Sequence, residues 1–147
     1  MKNNELGCVK QLFISKKNIK GIITKEDLEL DTKGIIEDKF YDKNHSRSVL
    51  ITSILAYELL SKNNISAEYG SLGENILVSF DPYNLQNGDK LTIGNTILEI
   101  ANECTICNHL NKIDPKVPNI LKNDRGVFAR VIQGGFIKLN DSIELLN

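Results

Sequence analysis

Short runs of alternating apolar and polar residues, separated by turn residues, constrain the fold of this chain more than any other feature. Side chains alternate faces along a strand, so a two-residue period marks a strand with one buried face. The run GCVKQLFIS, Gly7 to Ser15, keeps this period well enough for a strand. In LTIGNTILEI, Leu91 to Ile100, the pair Gly94-Asn95 separates two β-rich runs. That predicts a hairpin, because a tight two-residue turn needs positive φ at one or both central positions. Gly126 to Ile132 sets Val127, Ala129 and Val131 against Phe128, Arg130 and Ile132. Gly134-Gly135 follows, and a strand pattern resumes from Asp141 to Leu146, so a second strand pairing is expected across that turn.

Only Ser53 to Lys62 reads firmly as helix, with Ile54, Leu55, Leu59 and Tyr57 directed to the core and Asn63-Asn64 ending it. A short helical turn is expected after Cys107. Many short strands with regular turns favour a mainly β domain, a closed or partly closed barrel with a few short helices, over an open α/β sheet. No internal repeat, low-complexity tract or Pro/Gly-rich linker divides the sequence, and 147 residues suffice for one domain, 1–147, with its own core.

The 18 basic and 19 acidic side chains nearly cancel, so no global field favours nucleic acid or an anionic membrane as partner. No apolar run approaches the roughly 20 residues that span a bilayer, and Met1 to Glu5 is too polar for a signal peptide, so a cytoplasmic protein is expected. Three cysteines, Cys8, Cys104 and Cys107, are too few and odd in number for a disulfide framework, and suit a reducing compartment.

Cys104-Thr105-Ile106-Cys107, with His109 just beyond, is the most reactive-looking segment. As a metal site it supplies three ligands, whereas structural zinc takes four, so zinc is not expected. As a dithiol redox pair it has suitable spacing, but a β-hairpin precedes it rather than the βαβ context of thioredoxin-like motifs. As a nucleophile or sulfur carrier, one thiolate needs a depressed pKa from nearby cations or backbone dipoles. Both thiols also fit the commonest fate of free cysteine, a small buried apolar side chain.

Arginine occurs only at Arg47, Arg125 and Arg130, every other basic side chain apart from histidine being lysine. Guanidinium offers a planar fork that binds carboxylate or phosphate bidentately and stays charged when partly buried. Three arginines converging would form an anion pocket; alternatively each pairs with an acid at the barrel rim, as Asp124 beside Arg125 suggests. Gly70 to Asn75 reads as a flexible loop whose backbone approaches a ligand closely, or as a simple turn. His45, in a polar loop, reads as a general acid or as a merely solvated side chain, the second being favoured.

Taken in order, Arg47-Ser48-Val49, Gly73-Glu74-Asn75, Gly88-Asp89, Cys107 and Arg125-Gly126-Val127-Phe128-Ala129-Arg130-Val131 with Gly134-Gly135 resemble the MOSC domain pattern, that of molybdenum cofactor sulfurase C-terminal domains. The resemblance spans nearly the whole chain, and its last block is the most specific. The sequence departs from the pattern where Asn140-Asp141 stands in place of Gly-Asp. It departs again at Gly34 to Phe40, where Asp38 matches but Glu37 and Phe40 do not. Cys107 aligns with the family cysteine better than Cys104 does.

The resemblance implies a β-rich barrel and a place in molybdenum cofactor metabolism as a small stand-alone protein. It implies Cys107, or else Cys104, as a sulfur-carrying or metal-ligating thiol. Arg47, Arg125 and Arg130 would hold a molybdenum-pterin cofactor, with Gly73, Glu74 and Asn75 shaping its pocket. A cysteine desulfurase or another cofactor-assembly protein would be the partner, and pyridoxal phosphate would belong to that separate desulfurase. Two alternatives remain at this level: a molybdenum-dependent reductase of N-hydroxylated compounds with the metal on Cys107, and a non-catalytic escort for the cofactor.

Overall fold

The computed structural model describes residues 4–103, 113–121 and 126–146. Along the chain run β1 (Glu5–Lys16), β2 (Ile19–Lys25), β3 (Asp27–Asp31), β4 (Gly34–Ile35), β5 (Val49–Ser53), α1 (Ile54–Lys62) and β6 (Ile76–Val78). They are followed by β7 (Lys90–Ile93), β8 (Thr96–Glu103), α2 (Val117–Ile120), β9 (Val127–Gln133), β10 (Gly135–Lys138) and β11 (Ser142–Leu146).

Seven strands close on themselves in the order β11-β7-β8-β9-β5-β6-β1, with β1 pairing back to β11, and β2 extends the sheet beyond β1. The barrel expected from the sequence is therefore present, and it is closed. Every pairing around it is antiparallel except β5 with β6. A parallel pair needs a crossover between its strands, and α1 lies in that connection. A separate sheet, β10-β3-β4, adds Leu28, Leu30, Ile35 and Ile137 to the core that fills the barrel.

Period-two patterning accounts for the inner face. In β9, Val127, Ala129 and Val131 are buried while Arg130 and Ile132 are exposed. In β6, Ile76 and Val78 join the barrel core, and Leu77 turns outward to a second core beneath α1 with Phe13, Tyr57, Leu60, Leu72 and Leu121. β1 departs from strict alternation. Its pairing with β6 shifts register between Val9 and Gln11, which lets Val9 and Leu12 both face inward although they are three positions, an odd number, apart.

The predicted hairpin is β7–β8, with Ile93 opposite Thr96 and positive φ at Gly94 (58°). The pairing expected across Gly134-Gly135 is not formed. Gly135 instead begins β10, which crosses to pair with β3, while β11 pairs with β7 and β1. The two glycines mark a change of sheet rather than a hairpin, and a Cβ on Gly134 would collide with the Leu30 carbonyl of β3. α1 has the expected bounds, with Ser53 Oγ capping Leu55 N at 3.0 Å and Asn64 beyond its end at positive φ. Of the residues expected on its core face, Tyr57 is buried and Ile54 and Leu59 pack against the second core, whereas Leu55 is exposed; Ala56 and Leu60 complete the buried face. The helical turn expected directly after Cys107 lies outside the described residues. Among the described residues, no helix is long and apolar enough to cross a membrane.

Candidate anion-binding face

Two strands and one short turn build this face. On β9, Phe128 and Arg130 are two residues apart and share the outward side, opposite the buried Val127, Ala129 and Val131. β5 pairs with β9, Val49 opposite Ala129 and Leu50 opposite Phe128, so the segment leading into β5 runs beside Phe128 and Arg130. That segment is the 3₁₀ turn His45–Arg47. Asn44 caps it by accepting from Ser46 N at 3.2 Å, and Ser48 Oγ donates to the His45 carbonyl at 2.9 Å.

The turn brings Arg47 and Arg130 to one place. The Arg47 guanidinium carbon sits 4.5 Å from the centroid of the Phe128 ring. Arg130 donates from Nη2 to Ser46 Oγ at 3.0 Å, and its Nε lies 3.5 Å from Glu99 Oε1, Glu99 being its register partner on β8. Both arginines are solvent-exposed. The face thus carries two guanidiniums, one hydroxyl and one carboxylate, and it can take an anion that outcompetes Glu99 for Arg130. His45 is exposed and meets Asp42 Oδ1 at 3.1 Å, in keeping with its solvated reading.

Gly73, Glu74 and Asn75 lie elsewhere, where β6 begins. The Glu74 carboxylate is buried and accepts from the Tyr57 hydroxyl at 2.7 and 2.9 Å and from Gly70 N at 2.9 Å. Burial first, and the adjacent Glu74 charge second, push the Tyr57 phenol far above its usual range. Asn75 links two barrel strands: its Oδ1 accepts from Leu50 N at 3.0 Å on β5, and its Nδ2 donates to the Phe13 carbonyl at 3.2 Å on β1. Gly73 N donates to the Gly70 carbonyl at 3.0 Å, closing the preceding turn.

Asp38, the residue that fits the family pattern at 34–40, is also internal. It accepts from Ser15 N at 2.9 Å and Phe40 N at 3.1 Å, and burial pushes its carboxyl upward against those two bonds. Nearby, the Tyr41 hydroxyl donates to Asp31 at 2.5 Å. That bond pulls Asp31 below its ordinary value and raises Tyr41 to about 12.

Cys104, Cys107, His109 and Arg125 lie outside the described residues. Their neighbours in sequence are placed: Glu103, which precedes Cys104, pairs with Val127, two positions after Arg125. Asn102 on the same strand pairs with Phe128, beneath Arg47. Among the described residues there is no group of three or more His, Cys, Asp or Glu side chains arranged to hold a metal ion.

Sequence reasoning singled out both described arginines and missed three of their partners, Phe128, Ser46 and Glu99. Phe128 was accessible to it, since a strand period that turns Arg130 outward turns Phe128 outward as well. Ser46 and Glu99 had no comparable signal, because their meeting with Arg130 depends on how the strands pair.

The MOSC domain description matches residues 40–144 of this chain. The chain belongs to the MOSC domain family. Among solved structures, this MOSC domain resembles the YuaD protein from Bacillus subtilis, with a TM-score of 0.81 at 18% identity, covering 99% of this chain and 98% of that one. YiiM from Escherichia coli superposes with a TM-score of 0.76 at 16% identity, over 97% of this chain and 70% of that chain. YiiM from Geobacillus stearothermophilus gives 0.73 at 15%, over 95% and 74%. At such identities the likeness is one of fold, and function has to be argued from the site. No curated protein matches this MOSC domain significantly.

Proposed function

We propose that this MOSC domain binds the phosphate of a molybdenum-pterin cofactor through Arg47 and Arg130, with Arg125 as a third cation, and carries sulfur for it as a persulfide on Cys107. The observation that carries this reading is the meeting of Arg47 and Arg130 at one turn, beside β9, which follows Arg125 in sequence and pairs with β8, the strand that precedes Cys104. The donor set suits the group: two guanidiniums and the Ser46 hydroxyl present N–H and O–H groups to solvent, as an oxyanion requires. When bound, the cofactor supplies the molybdenum centre that receives sulfur.

The chain's own part is binding and carriage. Arg47 and Arg130 grip the phosphate, and Asn75 holds β5, the strand into which the Arg47 turn leads, to β1. Through that scaffold Gly73, Glu74 and Asn75 shape the site without touching the ligand. The Cys107 thiolate attacks the terminal sulfur of a persulfide on a cysteine desulfurase. A new S–S bond forms at Cys107, the donor's S–S bond breaks, and the donor leaves as a thiolate. Pyridoxal phosphate belongs to that partner.

Intact-protein mass spectrometry after incubation with a cysteine desulfurase and cysteine tests the sulfur-carrying half. The expected result is a one-sulfur increment that survives Cys104→Ser and vanishes with Cys107→Ser. Loss with Cys104→Ser alone would transfer the role to Cys104. No increment on any form would overturn sulfur carriage and leave cofactor binding by the arginines to stand by itself.

A further inference from the structure

We propose that Phe128 is a positioning residue of the anion site, its ring seating the Arg47 guanidinium so that the N–H fork is presented toward Arg130. The inference rests on the anion-binding reading above and extends it to a side chain that itself contacts no anion.

Arg47 stands on a three-residue turn at the surface, and a long exposed side chain loses rotamer freedom when it binds. Phe128 offers the opposite condition. It lies in the middle of the barrel sheet, paired with Leu50 on one side and Asn102 on the other, between the buried Val127 and Ala129. Its backbone is therefore held on both sides by the sheet, its half-buried ring stands on the outward face, and at 4.5 Å the Arg47 guanidinium is within cation–π range. A guanidinium resting on an aromatic face keeps its in-plane N–H donors free for an anion.

Arg130 is held by different means on the same strand, through Ser46 and Glu99. The two forks flank one turn, Arg47 seated on a ring and Arg130 tied to the residue before Arg47. An anion meets donors whose ordering has already been supplied by the barrel, and an aliphatic side chain at 128 would fill the space without supplying the charge–quadrupole attraction.

Titration with inorganic phosphate, followed by NMR, separates this role from a packing role. The proteins compared are the native chain, Arg47→Ala, Phe128→Leu, Phe128→Tyr and the double variant Arg47→Ala with Phe128→Leu. Phe128→Leu should weaken phosphate binding about two- to fivefold, the worth of an exposed cation–π contact. Phe128→Tyr should restore native affinity, and Phe128→Leu should have no further effect once Arg47 is alanine. Thermal melting checks the fold, and Phe128→Met replaces Phe128→Leu if the latter does not fold.

Native affinity in Phe128→Leu would overturn the positioning role, as would an equal loss in the Arg47→Ala background. In both cases a weakened Arg47→Ala leaves the anion reading intact. If the native chain does not bind phosphate, or Arg47→Ala binds as well as native, the anion reading fails and this inference fails with it.

Discussion

Arg130 illustrates how one side chain is given its place: the strand period turns it outward, the register sets Glu99 beside it, and the turn before β5 brings Ser46 within 3.0 Å. The first of these was legible in the sequence, and the other two depend on pairings between segments more than 30 residues apart. The hydrogen bond from Tyr41 to Asp31 joins residues only ten apart, yet no motif announces it. It makes a pH prediction. Tyr41 should titrate near 12 in the folded protein, above its ordinary 10, because ionisation breaks its bond to Asp31. A folded pKa raised above the unfolded one contributes stability that is present below pH 10 and lost as pH rises toward about 12. Phenolate absorbance checks this: Asp31→Asn should return one tyrosine toward its ordinary value, and an unchanged titration would contradict the assignment.

Among the elements, the β7–β8 hairpin, α1 and β9 were legible because each carries a strong local signal: a Gly-Asn turn, a Ser N-cap with apolar spacing, and a clean two-residue alternation. The change of sheet at Gly134-Gly135 was not, since glycine pairs mark a hairpin and a crossing equally well and only the position of β3 decides. Asn75 shows an element-scale dependence of a different kind. Its side chain joins β1 to β5 beside the one parallel pairing of the barrel, where it meets two buried backbone groups, Leu50 N and the Phe13 carbonyl. Asn75→Ala leaves both without that partner and should cost about 2–4 kcal/mol of stability. Urea denaturation checks this: a lower midpoint with an unchanged slope is expected, and a midpoint equal to native would show that the link is dispensable.

At the scale of the whole molecule, barrel closure determines which residues meet. The parallel step from β5 to β6 across α1 leaves β9 to pair with β5 on one side and β8 on the other. β9 therefore lies between the arginine turn and the strand that leads to the cysteines. Residues 47, 103 and 127 converge through this topology alone, which explains why the ordered motifs of the family were readable from the sequence while their spatial relation was not. The same fold persists at 15 to 18% identity in the YuaD and YiiM structures, so it is the barrel's pairing scheme, and little of the remaining sequence, that this likeness reflects. The central claim is that the convergence serves to bind an anionic cofactor. Calorimetric titration with the molybdenum-pterin cofactor tests it most directly, comparing the native chain with the Arg47→Ala, Arg130→Ala double variant. Loss of two charge-assisted contacts on an exposed face should weaken binding by about 2 kcal/mol, roughly thirtyfold. Equal affinity in the two proteins, or no binding by the native chain, would contradict the account.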